Sequence, residues 1–459
     1  MNFLKIDKYK ISSYLAYEIP IIFFIFLISR LFTVYYLEFD ISNISYGYHL
    51  LDVSLLKDDF LKSILFLHSQ PYLWNIFNGL VVKFFDGDVI YISNFFLHYH
   101  YLLTIISIYI IRKITLFFNL SVTRRIIIML FVALNPAVIF YENIFSYAHT
   151  TFCIFTILTY CILKYFKNYE LKYELYIYLL LFLLGGIWLL FQPILLLLAS
   201  FIIFRFYKKL NTISFYVFGF LFLLSIAPVI KNKIIFGTFI NSSKSGQDFG
   251  TVFYDWQDYC GHPIKDQQKN IEEYERVYKK KFNHNSLIGE KSQFNNLGMI
   301  VIGKKCFKIT INRILDNPNL YFTGRLKSFL ASHGKFSFDY VYPTPKGWKI
   351  FYSPITNTYK NKNIKLIRQM IIFCFMMYLY FTLIKYFFFT KKKYLKNGIF
   401  YFGLIYFYLM FVSTMAAGTE QERSLYTGFV INVIFLIILL KNSFIVKKKN
   451  SRYSIATEL

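Results

Sequence analysis

The feature that most constrains this chain is the recurrence of apolar runs of about 20 residues, most of them bounded at one end by a short cluster of lysine or arginine. A run of that length matches the hydrocarbon core of a bilayer, and a soluble chain of this size has too little interior to hide so many of them. Charged residues make up 17% of the sequence and gather between the runs, so the clusters read as loops. An apolar content of 56% and a mean hydropathy of +0.44 agree with lipid as the solvent for much of the surface. The expected fold is an all-α polytopic membrane protein of about ten transmembrane helices. The spans are expected near residues 19–37, 89–111, 126–141, 146–165, 175–190, 192–206, 213–230, 367–389, 397–416 and 424–440.

Basic clusters orient such spans, because short loops rich in lysine and arginine stay in the cytoplasm. If Lys5, Lys8 and Lys10 are inside, the same face receives Arg112, Lys113, Arg124 and Arg125, then Lys164, Lys167 and Lys172, then Arg205, Lys208 and Lys209. It also receives Lys391, Lys392, Lys393, Lys396 and the tail at Lys447, Lys448 and Lys449. The opposite face takes residues 38–88, the Glu142 turn, the turn near Gln192, the long 231–366 loop and the turn at 418–423. Both termini are then cytoplasmic, in a multi-pass protein of the cell (plasma or inner) membrane. The first span is long enough to stay as a helix, and no small-residue cleavage site follows it.

Three regions follow from this pattern. Residues 1–230 form an N-terminal transmembrane module that includes the first outer loop, 38–88; residues 231–366 form a large extracytoplasmic loop; residues 367–459 supply C-terminal transmembrane helices and a basic tail. Within the first loop, YGYHLLDVSLL and PYLWNIFNGLVVKFF have helical apolar spacing but are too short or too polar to span. They are expected along the membrane surface as interfacial helices. The net charge of +26 comes without a nucleic-acid motif, so it implies membrane lipids as partners and no nucleic acid. The five cysteines, Cys153, Cys161, Cys260, Cys306 and Cys374, lack the spacing of a zinc site. Only Cys260 and Cys306 share the large loop, and their pairing stays open.

The first outer loop carries Glu38, Asp40, Asp52, Asp58 and Asp59, followed by FLHSQPYLWN. A carboxylate just beyond a span can serve as a general base where a lipid-linked substrate meets a water-soluble acceptor, or it can simply keep the loop wet. His68, Gln70 and Asn75 sit at a helix entry, suited either to capping or to sugar hydroxyls and a carrier phosphate. Glu142 and His149 flank the second outer turn, close enough in sequence to face one cavity. Arg30 lies inside the first span, where a charge is costly unless it is functional or paired within the bundle. Lys231, Lys233 and Lys244, with the Ser/Gly run at 242–246, offer ammonium groups and backbone N–H groups to a phosphate. Arg423, between the acids of GTEQERSLY and the last span, could grip a phosphate through its guanidinium fork. Loop carboxylates are also compatible with a divalent cation, Mg²⁺ or Mn²⁺, although no ligand spacing specifies one.

The order of these segments resembles the GT-C superfamily of integral membrane glycosyltransferases, in particular the branch related to dolichyl-phosphate-mannose protein mannosyltransferases. An acidic first loop follows helix one, and HSQPYLWNIFNGLVVKFF is similar to the family's QPPL(Y/F) segment ahead of helix two. LNPAVIFYENIFSYAHT (134–150) and KNKIIFGTFINSSKSG (231–246) then look like the family's P…Y turn and its entry to the main outer loop. The chain departs from the family where Asp40 is followed by Ile41 rather than a second acid, and where Tyr72 stands at the second proline. The resemblance implies transfer of a sugar from a polyprenyl-phosphate-type carrier to an acceptor glycan, lipid or protein on the outer face. A first-loop carboxylate would be the catalytic group, Asp40 by its family-like distance to Pro71 and Asp52 as the alternative. Two other readings remain: a transporter or flippase of lipid-linked sugars, which calls for charges within several spans and repeat symmetry, and a non-catalytic membrane partner of an envelope glycosylation system.

Overall fold

The computed structural model describes residues 8–46, 51–191, 193–206, 212–253, 255–261, 265–279, 295–333, scattered positions within 367–388, residues 392–416, and residues 424 and 426–441. Every regular element among them is a helix, and the only β pairing is an isolated parallel bridge between Asp40 and Ile144. The chain begins with α1 (Lys8–Tyr36) and four shorter helices, α2 (Asn43–Tyr46), α3 (Val53–Asp58), α4 (Phe60–Phe66) and α5 (Tyr72–Phe84). There follow α6 (Val89–Phe117), α7 (Val122–Ala133), α8 (Pro136–Glu142), α9 (Tyr147–Asn168), α10 (Leu171–Ile187), α11 (Pro193–Phe206) and α12 (Thr212–Phe236). The large loop holds α13 (Ser245–Gly250), α14 (Trp256–Cys260), α15 (Gln267–Tyr278), α16 (Gly298–Asp316) and α17 (Pro318–His333). The chain closes with α18 (Lys393–Ala416) and α19 (Phe429–Lys441).

Among the described residues, five helices are long and apolar enough to cross a membrane: α1, α6, α9, α12 and α18. A sixth crossing results if α7 and α8 count as one span bent by 46°. The bend has a local cause. Pro136 lacks an N–H and disfavours helical geometry in the residue before it, so the helix stops at Ala133 and restarts with Asn135 as N-cap, its side chain accepting from Ala137 N at 2.9 Å. The expected spans at 175–190 and 192–206 correspond to α10 and α11, with 17 and 14 residues, which rise about 25 and 21 Å. Most of the expected span at 367–389 lies outside the described residues.

Helix α1 shows how the bundle is assembled. Glu18, Ile22, Phe26, Arg30, Thr33 and Leu37 recur every three or four residues and are all buried, while Phe23, Phe24, Leu27, Ile28 and Leu31 are exposed. Its inward stripe thus carries the charges and its outward face is apolar, the arrangement lipid demands. Each buried charge finds a partner on another helix. Arg112 of α6 donates through Nε to Glu18 Oε2 at 2.8 Å, and Arg125 of α7 pairs with Glu18 through Nη2 and Nε. Sequence pattern places Arg112 and Arg125 in a basic loop; both instead lie on helices and point into the bundle, because a buried carboxylate on α1 needs compensation.

The apolar core runs through α9, whose Phe152, Phe155, Leu158 and Ile162 are fully buried and which packs against α6, α10 and α18. In the large loop, α13 crosses α16 so closely that a Cβ on Gly246 would fall 1.9 Å from the Gly303 carbonyl oxygen, so only glycine fits. Cys260 of α14 and Cys306 of α16 form a disulfide with Cα atoms 4.9 Å apart, settling the pairing that sequence leaves open. It closes a chain separation of 46 residues, which in the loop-entropy account stabilises by about 4 kcal/mol. Beside it, Arg313 makes two hydrogen bonds to Asp255, at 3.1 and 3.0 Å, and its guanidinium lies 4.6 Å from the ring centroids of both Phe253 and Tyr259. The Arg313 bonds hold the Asp255 carboxyl below its ordinary range.

Candidate functional site

The candidate residues fall into two groups. One surrounds the Glu142 turn. Arg30 donates from Nη2 to Glu142 Oε1 at 2.8 Å and from Nη1 to the Ala133 carbonyl at 2.6 Å, and its Nε lies 2.8 Å from Glu142 Oε2. The Thr104 hydroxyl makes a short hydrogen bond to Glu142 Oε1, so its oxygen is left to accept from His149 Nε2 at 2.9 Å. His149 Nδ1 then accepts from the Tyr426 hydroxyl at 2.6 Å. The proton positions are assigned from this one consistent direction, Tyr426 to His149 to Thr104 to Glu142, with the imidazole neutral. His100, one turn before Thr104, places Nδ1 3.0 Å from the Glu142 carbonyl.

This group is sealed: Glu142, Thr104, His149 and His100 are all fully buried. Its position matters for what it holds. The next residues of the turn clasp the loop after α1, with Asp40 N–H donating to the Asn143 carbonyl at 2.8 Å and Phe145 N–H donating to the Asp40 carbonyl at 2.9 Å. Asp40 itself is half-buried, and its Oδ1 accepts from Ser42 N at 2.9 Å. The network therefore fixes the backbone that presents the Asp40 carboxylate. Asp52 stands half-buried at the start of α3, and Asn75 is buried with Oδ1 accepting from Leu51 N at 2.9 Å, tying α5 to the residue before Asp52.

The second group joins the segment between α4 and α5 to the segment between α12 and α13. Asn295 Oδ1 accepts from His68 N and Ser69 N at 3.0 and 3.1 Å, Ser243 N donates to the His68 carbonyl at 2.8 Å, and the Ser242 hydroxyl donates to the Ser69 carbonyl. His68 Nδ1 lies 2.9 Å from Ser243 Oγ, and Lys231 Nζ donates to the Leu67 carbonyl. Lys244 is buried next along the segment, 3.5 Å from Asp248 Oδ1. Burial, reinforced by the Lys231 charge, pulls His68 down to about 3, so it is neutral at physiological pH. Among the described residues, His68 Nε2 and Gln70 Nε2 are buried without a hydrogen-bond partner.

Next to this seam along the chain, Pro71, Tyr72 and Asn241 line a narrow cleft together with Gly185, Gly186 and Pro228 among others. Its wall is the break between α10 and α11. A Cβ on Gly185 would lie 2.4 Å from the Phe191 carbonyl oxygen, and one on Gly186 would lie 2.2 Å from Leu73, so the paired glycines let the chain turn back and α5 approach. A buried polar atom without a partner costs free energy until something supplies one.

Of the residues chosen from sequence, His68 and Lys231 meet at the seam, with Gln70 and Lys244 adjoining it along the chain, and Glu142 and His149 meet in the buried network with Arg30. Asp40 adjoins that network through backbone, and Asn75 serves the first loop's own packing. Arg423 lies outside the described residues. Sequence reading passes over Glu18, His100, Thr104, Asn295 and Tyr426. Glu18 has a legible signal, its spacing of twelve from Arg30 with Ile22 and Phe26 between, while Tyr426 and Asn295 carry none because their partners lie far along the chain. Among the described residues no three His, Cys, Asp or Glu side chains gather as metal ligands. Comparison with family models, with curated proteins and with solved structures finds no match to this chain.

Proposed function

We propose that this chain is an integral membrane glycosyltransferase of GT-C type, transferring a sugar from a polyprenyl-phosphate-type carrier to an acceptor on the extracytoplasmic face. The observation that carries the reading is the seam between the first outer loop and the large-loop entry. It holds His68 against Ser243 and Lys231 against the Leu67 carbonyl, with Gln70 and Lys244 next along the chain, and it runs directly into Pro71, Tyr72 and Asn241 of the cleft beside an unwound stretch between helices, where a lipid-borne group arrives from the bilayer and an acceptor from water. Lys231 and Lys244 supply positive charge for the carrier phosphate, and the buried amide and imidazole nitrogens supply orientation. Asp40, clasped to the Glu142 turn with one carboxylate oxygen not committed to Ser42, is the general base that takes the acceptor's proton. Asp52 is the alternative, and Arg423 completes the phosphate grip.

In this reading the membrane is crossed about ten times: by the five long helices, the bent α7–α8 pair, α10, α11, α19 and the 367–389 segment. Both termini are cytoplasmic in the cell membrane. The Cys260–Cys306 disulfide supports an oxidising location for the large loop. Cysteines placed at Asp58 and at Lys172 separate the sides: a membrane-impermeant maleimide added outside modifies the first and spares the second, and the reverse labelling inverts the topology.

The activity is tested with purified protein in nanodiscs, offered a panel of radiolabelled sugars on polyprenyl phosphates. Transfer by the parent, reduced by about 10² in Asp40→Asn with an unchanged melting temperature, supports the assignment. Loss in Asp52→Asn alone moves the base to Asp52. Movement of intact donor across vesicles without sugar transfer replaces the enzyme with a transporter of lipid-linked sugars.

A further inference from the structure

A second cavity lies on the opposite end of α1 from the Glu142 turn. It is about 260 Å³, opens between α1 and α6, and is walled by Ile19, Ile22, Phe26, Ile105, Ile108 and Tyr109 among others, with Arg112 as the one charged residue among the described lining. Helices α1 and α6 run antiparallel here, since Glu18 near the start of α1 meets Arg112 near the end of α6. The cavity therefore has a charged end, at Glu18, Arg112 and Arg125, and an apolar end one to two turns deeper, at Phe26 and Ile105.

The charged end is positive. Two guanidiniums share the single Glu18 carboxylate, leaving one net charge, and Lys113 adds another at the mouth, its Nζ 5.1 Å from the ring centroid of the lining residue Tyr109. Arg112 spends only Nε on Glu18, and among the described residues its two terminal nitrogens make no hydrogen bond. A guanidinium with two free donors at the head of an apolar groove fits a phosphate oxygen pair, and the groove below it fits an alkyl chain.

We propose that this groove holds an anionic glycerophospholipid, with its phosphate on Arg112 beside Lys113 and one acyl chain along Ile22, Phe26, Ile105 and Ile108. The site is separate from the cleft proposed for the sugar donor and does not depend on that function. Charge complementarity selects an anionic lipid over a zwitterionic one, because each basic residue near a membrane surface is worth about a five-fold preference.

The test is native mass spectrometry of the full-length protein in detergent, given an equal mixture of dioleoyl phosphatidylglycerol and dioleoyl phosphatidylcholine. The parent retains phosphatidylglycerol over phosphatidylcholine by at least about five-fold, and Lys113→Gln lowers that preference about five-fold. Ile105→Trp, which fills the groove and leaves the charges in place, removes the retained lipid. Leu223→Trp, on the exposed face of α12, leaves retention unchanged. Where Ile105→Trp lowers the melting temperature, Ile19→Trp at the groove mouth replaces it. Equal retention of the two lipids, undiminished phosphatidylglycerol in both filled-groove variants, or a polyprenyl phosphate as the species held there overturns the proposal.

Discussion

Helix α1 carries two buried charges twelve residues apart, about 18 Å along the axis, and the protein treats them in opposite ways. Glu18 is clamped by two arginines with no neutral intermediary. Arg30 is matched one to one by Glu142, which is wrapped in groups that pass hydrogen bonds onward, namely Thr104, His149 and Tyr426. The first cluster joins three helices and leaves positive charge beside the cavity between α1 and α6. The second balances its charge and uses the rest of its hydrogen bonding to fix a turn, and that turn holds Asp40. A buried ion pair is thus not one kind of object: stoichiometry decides whether it acts outward on a ligand or inward on a backbone.

Removing single partners breaks the symmetry hardest. Glu18→Ala leaves two buried guanidiniums facing each other, and a guanidinium cannot shed its proton. The expected loss is about 3–5 kcal/mol, seen as collapse of monodisperse yield and melting temperature in detergent. Arg30→Met leaves Glu142 alone, but a stranded carboxyl can take up a proton and remain as a neutral polar group. Its cost is expected at about 2 kcal/mol, and it shrinks as pH falls from 7.5 to 5.5 while that of Glu18→Ala does not. Equal losses with equal pH response would erase the distinction between the clusters.

The seam at His68 has its own pH signature. His68 is held near 3 in the folded protein against about 6.5 unfolded, so between those values the unfolded chain binds the extra proton. Stability contributed by His68 is complete above pH 6.5 and is lost as pH falls toward 3, with a slope of at most about 1.4 kcal/mol per pH unit. The melting temperature of the parent should drop more steeply from pH 6.5 to 4.5 than that of His68→Gln; parallel curves would mean the ring is not enclosed. The smallest effect is reserved for Tyr426→Phe, which removes one neutral donor to His149 at about 1 kcal/mol. If the network positions Asp40, this variant also lowers turnover with little change in donor KM, and unchanged turnover would make the chain of hydroxyls purely structural.

Much of the outline is legible in the sequence because hydropathy is a local sum. The cores of α1, α6, α9, α12 and α18 coincide with runs that any window finds, and the helical first loop follows from the spacing in PYLWNIFNGLVVKFF. Pairing is a different kind of information. Arg30 is flagged by its cost in a span, yet its partner is 112 residues away; Arg112 and Arg125 look like loop charges because a count of lysine and arginine is blind to helix rotation. The Cys260–Cys306 bridge is likewise open in sequence and fixed by the crossing of α14 and α16.

By itself, then, the sequence determines that the chain lives in a membrane, where its apolar segments lie, and which polar residues are too costly there to be idle. Tertiary structure alone decides that Glu18 faces two arginines, that His68 and Ser69 meet Ser243 and Ser242, and that the Glu142 turn holds Asp40 through backbone. The physical reason is that lipid prices each side chain one at a time, so residue type suffices, whereas a buried charge or amide is stabilised only by a specific atom of a specific partner. Which atom that is depends on how the helices are rotated and packed.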